Sequence, residues 1–110
     1  MAWNIIVFET LRKEKPIEEF IKACQPKTIA KISSEIDLLA KHGNLLGRPH
    51  SAPVEKGIFE LRVRGREEIR IFYSFRKKDI YLLHAFKKKT QKLPPREIEI
   101  ARKRLKILQI

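Results

Sequence analysis

Three short segments between Ile58 and Phe86 constrain this chain more than any other feature. Residues 58–64 alternate, with Phe59, Leu61 and Val63 on one side and Glu60, Arg62 and Arg64 on the other. Residues 69–75 alternate too, with Ile69, Ile71, Tyr73 and Phe75 set against Arg70, Phe72 and Ser74. Successive side chains of a strand point to opposite faces, so this spacing predicts two half-buried strands. Residues 80–86 are apolar on both sides, which predicts a strand inside the sheet rather than at its rim. Only polar turns at 65–68 and 76–79 separate the three. Such links are too short for a crossover, so the segments are expected to pair as an antiparallel meander.

The flanking sequence supplies helices to cover that sheet. Residues 3–8 are β-rich and read as a first strand. Pro16 suits a helix start, where its missing N–H removes nothing, and Ile17, Phe20, Ile21 and Cys24 recur at helical spacing. Pro26 opens a second helix with Ile29, Ile32, Ile36 and Leu39 on one face, and Gly43 is its expected stop. Residues 44–56 read as a loop broken by two prolines, pinned to the core by Leu45, Leu46 and Val54. Pro94 and Pro95 open a last helix with the apolar stripe Ile98, Ala101, Leu105 and Leu108. The expected order is β-α-α-β-β-β-α, an α+β fold in one domain over residues 1–110.

Charge narrows the function. The chain has 25 Lys and Arg against 13 Asp and Glu, a net charge of +12. Residues 1–43 are nearly balanced, so the excess falls on residues 44–110. A charge this large opposes compaction, and a polyanion, nucleic acid first, is its natural partner. An acidic protein segment would also fit. Cys24 is the only cysteine, which excludes an internal disulfide and a thiolate cluster and reads as a buried, inert thiol. His42 and His50 show no ligand spacing, so neither a metal nor a cofactor is expected. No stretch is apolar enough to span a bilayer and no signal peptide opens the chain, so a cytoplasmic protein without membrane contact is expected.

Alternation places Arg62, Arg64, Arg70 and Phe72 on the sheet face away from the two N-terminal helices. Lys87, Lys88 and Lys89 follow the last strand and are expected to close one end of that face. Guanidinium groups grip phosphates and an aromatic ring among them stacks on an unpaired base, so Arg64, Phe72, Lys87 and Lys89 are expected to bind RNA.

The stretches Gly57–Gly65, Ile69–Tyr73, Leu83–Lys92 and Pro95–Ala101, taken in order, resemble the phage-derived HigB-like branch of the RelE/ParE toxin superfamily. The resemblance implies a type II toxin that cuts mRNA on the ribosome by attack of a ribose 2′-hydroxyl, without metal. It places Arg62, Arg70 and Lys88, or its neighbour Lys87, at phosphate-stabilising positions. Glu60 stands where RelE has a lysine, and no tyrosine follows the final strand. The general base and acid therefore stay open among Glu60, His84 and Tyr73, with His84 favoured for its near-neutral titration and Tyr73 expected on the core face. The resemblance also implies an antitoxin partner with a helix-turn-helix DNA-binding domain. Inhibition of gyrase, as in ParE-type members, or RNA binding without cleavage are the alternatives on the same scaffold.

Overall fold

The computed structural model describes residues 2–108. Its elements are β1 (Asn4–Val7), α1 (Pro16–Lys22), α2 (Pro26–His42), β2 (Ser51–Glu55), β3 (Ile58–Val63), β4 (Ile69–Arg76), β5 (Asp79–Lys87) and α3 (Pro95–Leu108). The expected α+β order holds, with one strand added. Residues 51–55, read from sequence as loop, form β2, an edge strand antiparallel to β3. Pro53 disguised it, because proline cannot donate to a ladder and is tolerated only at an edge or an irregularity, and the register shifts beside it.

The five strands lie in the order β1-β5-β4-β3-β2. The meander from β2 to β5 is antiparallel, and β1 joins β5 in parallel. The doubly apolar segment β5 is thus interior, as its composition predicts. Both of its faces are covered. On one, Ile17, Ile32 and Leu39 of α1 and α2 pack against Leu61, Val63, Ile71, Tyr73 and Leu82. On the other, Ala101 of α3 packs against Ile58, Phe72, Leu83 and Phe86.

Local details fix these layers. Gly43 ends α2 at φ +52°, and a β-carbon there would lie 2.0 Å from the Trp3 indole nitrogen. Glycine alone lets Trp3 close over the end of α2. Leu46 and Val54 pack as expected, but Leu45 is 85% exposed and pins nothing. Tyr73 is buried on the helix side, where its hydroxyl and that of Ser51 hydrogen-bond, so β2 is stitched to the core through a polar contact. Ser51→Ala leaves the Tyr73 hydroxyl unpaired, and chemical denaturation should register a loss of about 1 kcal/mol.

Candidate functional site

Register decides which charged side chains meet. Arg62 of β3 lies opposite Arg70 of β4, and Glu60 lies opposite Phe72. Residues two apart on a strand share a face, so Glu60, Arg62 and Arg70 point to one side of the sheet. The sequence expectation for the arginine pair is met. What was not expected is how they are held. Glu60 sits between them, with Oε2 accepting from Arg62 Nη2 at 3.1 Å and Oε1 3.0 Å from Arg70 Nε. The second contact is close but poorly aligned, so it acts as an ion pair rather than a hydrogen bond. Arg70 Nη1 also donates to Glu68 at 2.8 Å.

Exposure differs sharply across this cluster. The side chains of Arg70 and Glu60 are 6% and 7% exposed, whereas that of Arg62 is 21% exposed. Arg70 is therefore not on an open surface, as alternation alone suggested. Its face is shared with α3, and two carboxylates enclose it. Arg62 is the member that solvent reaches.

Three other expectations need correction. Phe72 is fully buried, packed edge-on against Phe86 at 5.2 Å beneath α3. Its ring offers no face to a base, because the apolar stripe of α3 already occupies that side. Lys87 lies opposite Ile69 and turns to the helix side, where it pairs with Glu67 at 2.5 Å. It does not join Arg62. Arg64 falls just beyond β3, where alternation no longer rules, and it lines a groove with α2 instead. Lys88 follows β5, and its ammonium donates to the carbonyls of Thr90 and Gln91 at 2.6 and 2.8 Å. Lys89 is exposed.

His84 belongs to a second group. The ladder between β4 and β5 shifts register at Phe72 and Tyr73, so Leu83 and His84 together oppose Phe72. Such a bulge re-aims a side chain, and here it turns His84 under α3. Nε2 lies 2.6 Å from Glu97 Oε1, and Nδ1 lies 3.4 Å from Arg104 Nη1. Arg104 Nη1 also donates to the Leu83 carbonyl at 2.8 Å, and its guanidinium covers the Phe8 ring at 5.1 Å. Burial pushes the imidazole below its ordinary 6.5, the Glu97 hydrogen bond and charge only partly oppose this, and Arg104 lowers it further. A neutral ring then donates from Nε2 to Glu97 and accepts from Arg104 at Nδ1. Both nitrogens are engaged, which ties β5 to α3 and leaves no free lone pair for a substrate hydroxyl. Tyr73 is removed from acid–base work by its place in the core, where burial raises its hydroxyl above the usual range.

The lowered His84 value has a stability consequence. Its contribution is fully present above the unfolded value of 6.5 and is lost as pH falls below it, because the unfolded chain takes up a proton that the folded ring resists. Melting curves should show the midpoint dropping between about pH 7.5 and pH 5.5, and His84→Gln should flatten that part of the profile.

Among the described residues no group of side chains is arranged to hold a metal ion, and no helix is long and apolar enough to cross a membrane. The family model for phage derived protein Gp49-like (DUF891) matches residues 19–106. The chain belongs to this family. Gp49-like proteins are a RelE/HigB-like toxin family, and membership implies an antitoxin partner. The match runs from α1 through α3 and takes in the whole Glu60, Arg62 and Arg70 cluster. No curated protein matches the sequence.

Proposed function

We propose that this Gp49-like chain is the toxin of a type II toxin–antitoxin system and cleaves mRNA on the ribosome, in the cytoplasm, by attack of a 2′-hydroxyl on the adjacent phosphate. The observation that carries the reading is the carboxylate of Glu60 held between Arg62 and Arg70 on one sheet face. Cleavage of this kind needs a base beside cations, and this cluster supplies both.

An incoming phosphate competes with Glu60 for the solvent-reached Arg62. As Arg62 turns to the phosphate, Oε2 of Glu60 is released and takes the proton of the 2′-hydroxyl. The 2′-oxygen bonds to phosphorus, the bond to the 5′-oxygen breaks, and that oxygen takes a proton from solvent water, to which Glu60 returns the proton it accepted. A 2′,3′-cyclic phosphate remains. Arg70 stabilises the charge from below, and Lys88 stands near the end of β5 as a further cation for the phosphate. His84, first read as a candidate base, positions β5 against α3 through Glu97 and Arg104. DNA lacks the attacking hydroxyl and is not a substrate. The antitoxin carries a helix-turn-helix DNA-binding domain.

Primer extension on cellular mRNA after brief expression tests the reading. New 5′ ends within translated codons are expected. Intact mRNA with blocked gyrase supercoiling would replace this reading with gyrase inhibition, and RNA binding without new ends or growth arrest would leave a non-catalytic module.

A further inference from the structure

A cleft on the other side of the sheet is not used by the cleavage chemistry. Two adjoining grooves of about 350 and 200 Å³ share Lys31 and Val63, between α2 and the turn that joins β3 to β4. Val63 belongs to the face that α1 and α2 cover, opposite Glu60 and Arg62. Lys27 and Lys31 enter from α2, and Arg64 and Arg66 enter from the turn. All four are exposed, and none has an ion-pair partner among the described residues. Two carboxylates line the grooves. Glu67 is already paired with Lys87 and accepts from Thr28, while Glu35 is hydrogen-bonded to His50.

Local structure brings the lysine and the turn together. Lys31 Nζ reaches the Arg64 carbonyl at 3.4 Å, and a β-carbon on Gly65 would stand 2.6 Å from that ammonium. Glycine at this place lets the α2 side chain fold against the turn. Four such cations beside two carboxylates that are already engaged elsewhere repel one another, and a polyanion relieves that repulsion.

The chemistry of the lining selects the polyanion. A docked amphipathic peptide needs apolar anchors. The large exposed apolar side chains among the described residues, Leu11, Leu45 and Ile107, all lie elsewhere. Among the described residues, Val63 is the only large apolar one lining the grooves, and it is 1% exposed. A phosphate backbone needs charge and spacing alone. We infer that this cleft grips the phosphate backbone of a structured RNA stem, independently of sequence, while the Glu60 face addresses the strand to be cut. The inference goes beyond the cleavage reading and can fail separately from it.

Fluorescence anisotropy of a labelled RNA hairpin stem, titrated with the full chain over a range of salt, tests this. The wild type should bind with a steep salt dependence. Lys27→Ala, Lys31→Ala and Arg66→Ala combined should weaken binding by about tenfold or more and flatten the slope of log K against log salt by about two to three. The charge-preserving set Lys27→Arg, Lys31→Arg and Arg66→Lys should bind as the wild type does. Arg62→Ala should bind the stem normally while losing cleavage. Wild-type affinity and slope in the triple alanine variant would overturn the inference. So would loss of stem binding in Arg62→Ala, which moves the grip to the cleavage face. Tighter binding of polyglutamate than of the stem, abolished by the same three alanines, would assign the cleft to an acidic peptide instead.

Discussion

Arg62→Ala is expected to slow mRNA cleavage by about 10²–10³-fold, the usual loss when one preorganised donor to a developing oxyanion is removed. The fold should survive. Arg62, at 21% exposure, is the member of the Glu60–Arg62–Arg70 group that solvent reaches most, and Glu60 keeps Arg70 as a partner when it goes. A partly exposed ion pair contributes about 1 kcal/mol or less, so the melting midpoint should barely move. Growth arrest in cells and cleavage of ribosome-bound mRNA in vitro both read the outcome. Arg62→Lys should recover only part of the rate, because a single ammonium cannot reproduce the guanidinium fork.

Breaking the buried pair should have the opposite profile. Arg70→Ala strips Glu60 of its innermost partner, and Glu60→Ala does the same to Arg70. Removing one partner of a buried pair costs about 3–5 kcal/mol, because an uncompensated charge is left behind. The low end, about 3 kcal/mol, applies here: Glu60 retains Arg62, and Arg70 retains Glu68. For a chain of this size that corresponds to a midpoint lower by roughly 10 °C or more. Replacing both at once with apolar groups of similar volume, Glu60→Leu with Arg70→Met, should cost less than either single alanine, since no buried charge is stranded. A double variant less stable than the sum of the singles would mean that the pair is not what stabilises this end of the sheet. Loss of toxicity in Arg70→Ala alone therefore reports on folding as much as on chemistry, and Arg62 is the cleaner probe.

Alternation is a strong guide where both ends of a strand are paired. It set Arg62 and Arg70 on one face and put Tyr73 in the core, while the apolar character of both sides of β5 made that strand interior, all from polar and apolar order alone. It failed where a second layer intervenes. Phe72 sits at a position that alternates with core residues, which suggested an open aromatic, yet the apolar stripe of α3 required a partner and found one in Phe72, Leu83 and Phe86. The signal was present in those side chains but depends on a helix that begins only at Pro95, beyond the end of the sheet. The bulge at Leu83 and His84 was not legible, because a two-residue alternation has no mark for the extra residue. Strand β2 was hidden by Pro53, and Arg64 and Lys87 were misplaced because a face assignment ends with the strand or turns on its last residue. The ion pairing of Glu60 with Arg62 was legible in principle, since opposite charges two apart on a strand share a face, and it changes the cluster from an open cationic patch to a guarded one.

In the proposed reaction Glu60, Arg62 and Arg70 direct a 2′-hydroxyl onto the neighbouring phosphate. The most direct measurement maps cleavage of a ribosome-bound mRNA carrying a single 2′-deoxynucleotide at the position that is otherwise cut. Cleavage of the all-ribose message to a 2′,3′-cyclic phosphate end, with no cut at the deoxy position, is the predicted result. Cleavage that persists at the deoxy position would contradict it.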